Sequence, residues 1–409
     1  MKNYKKLIIF SILLVVCIAI IAYLTDGYQE NDNTSMLFFN GNIITVDSTT
    51  SKPEAVFIKG SRIYFTGTLQ DARKLTDAST ITINLKGRTL IPGFNDNHTH
   101  TLAAGSFYSE AILWNKTCEE IAVIISQEAK TKKPGELISG NSWDYTTCPK
   151  PHKSLLDKAA PNNPVFLTQY SGHAAWVNSR MLEEMGIDKN TPDPKGGQIV
   201  RDDKGEPTGI LRDTAMGTSE YGKFIKQILS PSLHKKLITK ALTLYKEAGI
   251  TSVQDNTWEP FTVRLLKKYR NSQELSTRFT CWPMGNSPLY YAFTWFASFD
   301  KNDYWVRKIF YQPLLGIYYA VTRKSKDGTM GPLNKDECFS PYEALYCYTM
   351  GSAYAEFMEN EKGSITKGKL ADFVVLSDNL LTVPVHTIKD IKVLMTITGG
   401  RIVYKHNDF

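Results

Sequence analysis

The sequence predicts an α/β fold: one large α/β unit, and a smaller β unit assembled from both ends of the chain. Three observations carry this. Residues 36–90 read as short apolar strands separated by turn residues, residues 363–404 repeat that pattern, and the stretch between them holds amphipathic helices followed by apolar strands. At 409 residues the chain is long enough for both units and a substantial core. The formal charge of +7 is spread without a lysine or arginine block, so nucleic acid is not an expected partner.

At the N-terminus, Leu7 to Leu24 is free of charged residues, preceded by Lys2, Lys5 and Lys6 and followed by Asp26, Glu30 and Asp32. A run of about 18 apolar residues can span a bilayer, with the basic flank on the cytoplasmic side. Residues 1–30 are therefore expected to be a cytoplasmic tip and a single-pass signal anchor, with everything beyond them lumenal or extracellular. The competing reading is a cleaved signal peptide and a secreted protein, but the run is long for one and no small-x-small site follows it. In such a compartment Asn33 and Asn115 head plausible glycosylation sequons, whereas Asn97 in a third sequon should be buried. Beyond Cys17 stand Cys118, Cys148, Cys281, Cys338 and Cys347, odd in number and irregular in spacing, and they read mostly as buried thiols.

Strands are expected at Met36 to Phe39, Asn42 to Val46, Ala55 to Ile58, Arg62 to Phe65 and Thr80 to Leu85, with Asn40-Gly41 and Lys59-Gly60 marking tight hairpins. At the other end, Phe373 to Leu376, Val393 to Thr398 and Arg401 to Tyr404 are strands set off by glycine turns. Residues 36–90 and 360–409 are accordingly assigned to one β unit, in which Asp372 reads as a turn residue.

Leu90-Ile91-Pro92-Gly93-Phe94-Asn95-Asp96-Asn97-His98-Thr99-His100 is the stretch with the strongest chemical signal. An apolar run ending in His-x-His reads as a strand that projects both imidazoles to one face, a geometry suited to chelating a divalent ion. Asp96 falls on the same side and would orient the pair.

In the middle, residues 137–144 form a strand and turn carrying Trp143, and Val165 to Thr168 is another strand. His173 follows it in Ser171-Gly172-His173-Ala174-Ala175-Trp176-Val177-Asn178, either as a loop-borne substrate contact or as a capping or core histidine. Leu237 to Ala248 is an amphipathic helix ending at Gly249, and Ile250 to Asp255 is the next strand. Thr277 to Trp282 and Trp305 to Phe310 are further strands. Ser340-Pro341-Tyr342-Glu343 opens a helix with a capping box, and Tyr342, Tyr346 and Tyr354 on it read as core.

Pro-Gly-Phe-x-Asp-x-His-x-His resembles the strand-one signature of the metal-dependent amidohydrolase superfamily. The C-terminal Gly-x-x-x-x-Gly-x-Leu-Ala-Asp-x-Val-Val-Leu resembles the same family's wording at Gly363 to Leu376. Gly-His-x-Ala-Trp-Val-Asn, with the turns at 191–197 and 205–211, is similar to the amidohydrolase-3 branch, which includes N-substituted formamide deformylase. The resemblance implies a (β/α)8 barrel over residues 91–359 and a composite β-sandwich from both ends. It further implies a divalent metal, zinc being the expected ion, held by His98 and His100, and a water-mediated attack on a small amide-type substrate. His173 and Trp143 would line the substrate pocket.

The family pattern also needs a bridging lysine or acidic ligand on strand four, histidines on strands five and six and an aspartate on strand eight. After His173 the chain has only His234, His386 and His406, none at the end of a barrel strand. Lys308 stands at the lysine position, and the segment from Pro313 resembles the region just after strand eight, so the barrel is expected to be incomplete, with a junction near Tyr311-Gln312. The expected function is a hydrolase of non-peptide carbon–nitrogen bonds whose activity in this form is impaired. The alternatives are a non-catalytic remnant and an incomplete gene model.

Overall fold

The computed structural model describes residues 34–49, 52–107, 111–217, 231–255, 260–281, 312–332 and 335–409. The Leu7–Leu24 anchor, the Asn33 sequon, Lys308 and the junction near Tyr311 lie outside the described residues.

The chain opens with β1 (Ser35–Phe39), β2 (Asn42–Ile43), β3 (Ala55–Lys59), β4 (Arg62–Gly67), helix α1 (Leu69–Arg73), β5 (Ile81–Asn84) and β6 (Thr89–Pro92). A four-stranded sheet has the order β4-β3-β1-β5. Lys59-Gly60 turns a β3–β4 hairpin, with Gly60 at a φ of 59°. Asn40-Gly41 is also a turn but not a hairpin, because β1 already has β3 and β5 on its two edges and β2 crosses to another sheet beside β6.

Next come β7 (Phe94–Thr99), α2 (Thr101–Phe107), β8 (Ala111–Ile112), α3 (Cys118–Thr131), β9 (Ile138–Trp143), α4 (Lys153–Ala159) and β10 (Val165–Gln169). They are followed by β11 (Ala174–Val177), α5 (Ser179–Met185), β12 (Gly197–Arg201) and β13 (Pro207–Asp213). β8 to β13 form their own six-stranded sheet in the order β12-β13-β11-β10-β9-β8. They add nothing to the sheet that β7 begins, since β10 and β11 are joined by a tight antiparallel turn rather than by a helical crossover. Helix α3 starts at a capping box, Thr117 with Glu120, and buries Ile121 and Ile125 against the sheet beside Val165 and Leu167. Cys118 and Cys148 are not two separate buried thiols: they are joined by a disulfide whose Cα atoms are 4.8 Å apart. Cys281 and Cys338 are half-buried and Cys347 is exposed, so buried free thiols describe none of the described cysteines.

Helix α6 (Pro231–Glu247), β14 (Ile250–Asp255), α7 (Pro260–Asn271) and β15 (Arg278–Cys281) complete a parallel sheet, β15-β14-β7, with the registers Val253↔Asp96 and Gln254↔Thr280. These are β/α units with parallel strands. Gly93 is required here: a Cβ on it would lie 2.1 Å from the Thr251 hydroxyl, so only glycine lets β14 close on the start of β7.

Helix α8 (Pro313–Thr322) packs on that sheet through Ile317, Tyr318 and Val321, beside Phe94 and Tyr245. Helix α9 (Pro341–Tyr346) has the expected Ser340 cap with Glu343, and passes through a π turn at Cys347–Gly351 into α10 (Ser352–Ala355). Its tyrosines do not reach the core: Tyr342, Tyr346 and Tyr354 are 42%, 42% and 66% exposed, because Ala344, Leu345 and Tyr348 occupy the inward face.

The chain ends with β16 (Phe373–Leu376), β17 (Val393–Thr398) and β18 (Arg401–Lys405), which join β6 and β2 in a five-stranded sheet, β18-β17-β16-β6-β2. β16 pairs antiparallel with β6, Val374 opposite Ile91, and Phe38, Ile58, Phe373 and Met395 fill the space between the two sheets. Asp372 does more than turn the chain. Its buried carboxylate pairs with the Arg278 guanidinium at 3.0 Å and accepts the Gly399 N–H, fastening β15 to the terminal sheet.

Candidate functional site

β7 leaves the terminal sheet at Gly93 and delivers Asp96, His98 and His100 to its C-terminal end. The two imidazoles are neighbours, with ring centroids 5.3 Å apart and planes at 78°, and both are half-buried. Asp96 is buried, and its Oδ1 accepts the backbone N–H of His98 at 3.1 Å, which holds the backbone leading into the first histidine. Asn97 is exposed, contrary to the expectation that this sequon is buried.

Beneath the pair lies a polar cluster from the next β/α unit. The Tyr245 hydroxyl lies 2.9 Å from Thr99 Oγ1 and 3.2 Å from Thr101 Oγ1, and Asp255 Oδ1 accepts the Thr101 N–H at 2.6 Å. Burial holds the Tyr245 phenol well above its ordinary range, and the Asp255 and Asp96 carboxylates reinforce this. Tyr245 is therefore a neutral hydrogen-bonding strut. Asp255, 2% exposed at the end of β14 and level with Thr99, was not singled out from the sequence. Its signal was present: a carboxylate closing an otherwise uncharged strand, Ile250 to Gln254.

The other expected site residues lie elsewhere. His173 stands in the β10–β11 turn of the six-stranded sheet, exposed, with Nδ1 2.8 Å from Asp213 Oδ1. Trp143 is not a pocket wall: it is wholly buried, its indole N–H donates to the Leu167 carbonyl, and it packs among Leu113, Leu156 and Trp176. Asn178 is structural, since its amide oxygen accepts the N–H groups of Val165 and Met181 and its amide nitrogen donates to the carbonyls of Ala160 and Asn163. His234 is buried on α6, His386 lies in a 3-10 turn, and His406 follows β18. Of the seven histidines, His98 and His100 alone stand at the end of the parallel sheet.

A catalytic zinc usually takes three protein ligands and a water. Among the described residues no group of three or more His, Cys, Asp or Glu side chains is placed to hold a metal. The described residues do not fit a closed catalytic ion.

A model of the amidohydrolase family, the amidohydrolase-3 branch, matches residues 82–308 and 309–404. The chain is 30% identical over 230 residues to an N-substituted formamide deformylase of Arthrobacter pascens, covering 54% of this chain and 42% of that protein. A putative amidohydrolase of Bacillus subtilis, YtcJ, is 24% identical over 526 aligned residues, covering 90% of this chain and 99% of that protein. This alignment is longer than the 409-residue chain, so a substantial part of it has no counterpart here. The chain spans less than half the length of the deformylase and of a second relative, the Arabidopsis thaliana protein LONG AFTER FAR-RED 3. In fold it is similar to a metal-dependent hydrolase from Pyrococcus horikoshii, with a TM-score of 0.66 and 18% identity over 86% of this chain and 99% of that one. With its family match running through both halves of the sequence, this chain belongs to the amidohydrolase-3 branch of the amidohydrolase family.

Proposed function

We propose that this chain is a metal-dependent hydrolase of carbon–nitrogen bonds other than peptide bonds that has lost part of its metal site, so that this form is catalytically impaired. The observation that carries the reading is the placement of all seven histidines, with only His98 and His100 at the mouth of the parallel sheet. These two would hold a divalent ion, zinc by expectation, through ring nitrogens, while Asp96 braces the backbone leading into His98. The name of the deformylase relative supports a small amide-type substrate. The test is amine release from a panel of small amides that includes an N-substituted formamide, with zinc supplied. The expected rate stays within about tenfold of zinc alone, a barrier difference of only about 1.4 kcal/mol, and does not change in the His98→Ala/His100→Ala variant. Turnover far above that level and abolished in the double variant would show a complete site.

The long alignment with YtcJ, and the family match in two segments that abut at residues 308 and 309, favour a second reading: a longer form of the protein that retains the rest of the barrel. Amplifying the transcript across codons 305–320 decides it. A longer product supports that reading, and a single short product removes it. The Cys118–Cys148 disulfide supports placing the chain beyond residue 30 in an oxidising lumen or outside the cell, anchored through Leu7 to Leu24.

A further inference from the structure

Between α7, β15 and the β17–β18 turn lies a cavity of about 400 Å³. It is separate from the histidine site: β14 stands between β15 and β7, and none of Asp96, His98, His100 and Asp255 lines it. Five cationic side chains do, Lys267 and Arg270 from α7, Arg278 from β15, Arg401 from β18, and Lys362. Among the described residues no aspartate or glutamate lines it.

The carboxylates that serve this wall stand outside the cavity. Asp372 pairs with Arg278 at 3.0 Å, and Glu356 with Lys362. Arg401 is held differently: its guanidinium donates to the carbonyls of Gln273 and Leu275, each at 3.0 Å, which fixes it against the loop between α7 and β15 without supplying a countercharge. Burial lowers the Lys362 pKa against the pull of Glu356 and Asp372, and Arg278 adds like-charge repulsion. An anion in the cavity would relieve that repulsion. Thr398, 5% exposed and also in the wall, has a hydroxyl without a hydrogen-bond partner among the described residues. A buried polar group left over in this way calls for a partner.

The rest of the wall is apolar, with Val263, Leu266, Leu275, Phe279 and Met358. A concave apolar surface with a few fixed charged groups is the usual make-up of a small-molecule site. Guanidinium groups match the planar fork of a carboxylate, and the apolar wall matches a hydrocarbon. We propose that this cavity binds a small organic acid, with its carboxylate held by Arg401, Lys267 and Arg270 and its hydrocarbon body against Leu266 and Phe279. The proposal does not involve the histidine pair, and it is tested without metal.

Ligand-observed saturation-transfer NMR on the full chain in chelator, with octanoate against 1-octanol and acetate, separates head from body. Octanoate is expected to bind, 1-octanol at least about fivefold more weakly for want of a charged head, and acetate about tenfold or more weakly for want of a body. Lys267→Gln/Arg270→Gln should weaken octanoate at least about fivefold and leave 1-octanol unchanged. Lys235→Gln/Lys236→Gln, which removes the same charge from exposed positions on α6, should change neither. Arg401→Gln tests the same head group from the other side of the cavity, which keeps the result readable if the α7 variant misfolds. Absence of octanoate binding, equal binding of octanoate and 1-octanol, or octanoate binding that survives both the α7 variant and Arg401→Gln would overturn the proposal.

Discussion

Replacing Glu356 with alanine is expected to destabilise the protein by about 3–5 kcal/mol, the range for breaking a buried ion pair by removing one partner. Glu356 lies 2.5 Å from the Lys362 ammonium, with the two side chains 1% and 6% exposed. The pair joins all three parallel strands: Glu356 accepts from Asn95 of β7 at 2.7 Å and from Thr280 of β15 at 2.9 Å, while Lys362 donates to Ser252 of β14. Burial already holds Lys362 below its ordinary range, with Glu356 as the main opposing influence. Without Glu356 the lysine pKa falls further, so the unfolded chain binds the proton more tightly than the folded one. Stability of the variant should therefore rise with pH from 7 toward 10, recovering part of the loss. Adding Lys362→Met should recover most of the remainder, because a pair replaced by apolar side chains costs far less than a pair broken. Urea unfolding midpoints at two pH values check all three statements, and an unchanged midpoint for Glu356→Ala would show that the pair contributes nothing.

The second large effect concerns the six-stranded sheet. Cys118 and Cys148 close a loop with a sequence separation of 30, for which chain entropy gives a stabilisation of about 3–4 kcal/mol. Cys148→Ser, or reduction of the native protein, is expected to lower hydrogen-exchange protection in α3 and β9 by that amount and to leave the β7–β14–β15 sheet unaffected. The link ties the first residue of α3 to the loop after β9, both within one core cluster. Uniform loss of protection across both sheets would mean that the two units unfold as one.

What could be read from the sequence was mostly local. The strand running into His98, the Lys59-Gly60 hairpin and the Ser340 capping box each depend on a few neighbouring residues, and each is found in place. Features set by distant packing were harder to read. Asn40-Gly41 has the wording of a hairpin, but both edges of β1 are taken. Tyr342, Tyr346 and Tyr354 are apolar enough for a core, and only the inward face of α9 shows that they lie outside it. Trp143 and Asp372 are directed inward by a bulge and by an arginine 94 residues away in sequence, and neither leaves a local trace. Asp255 enters the site only because β14 lies beside β7 in parallel register.

Metal stoichiometry tests most directly the proposal that the His98–His100 pair lacks the further ligands of a closed site. After loading with zinc and dialysis against metal-free buffer, the wild-type chain is expected to retain well under one zinc per molecule, and His98→Ala/His100→Ala essentially none, since a closed site needs about three protein ligands. One or more ions held per wild-type chain through dialysis, and lost in the double variant, would contradict it.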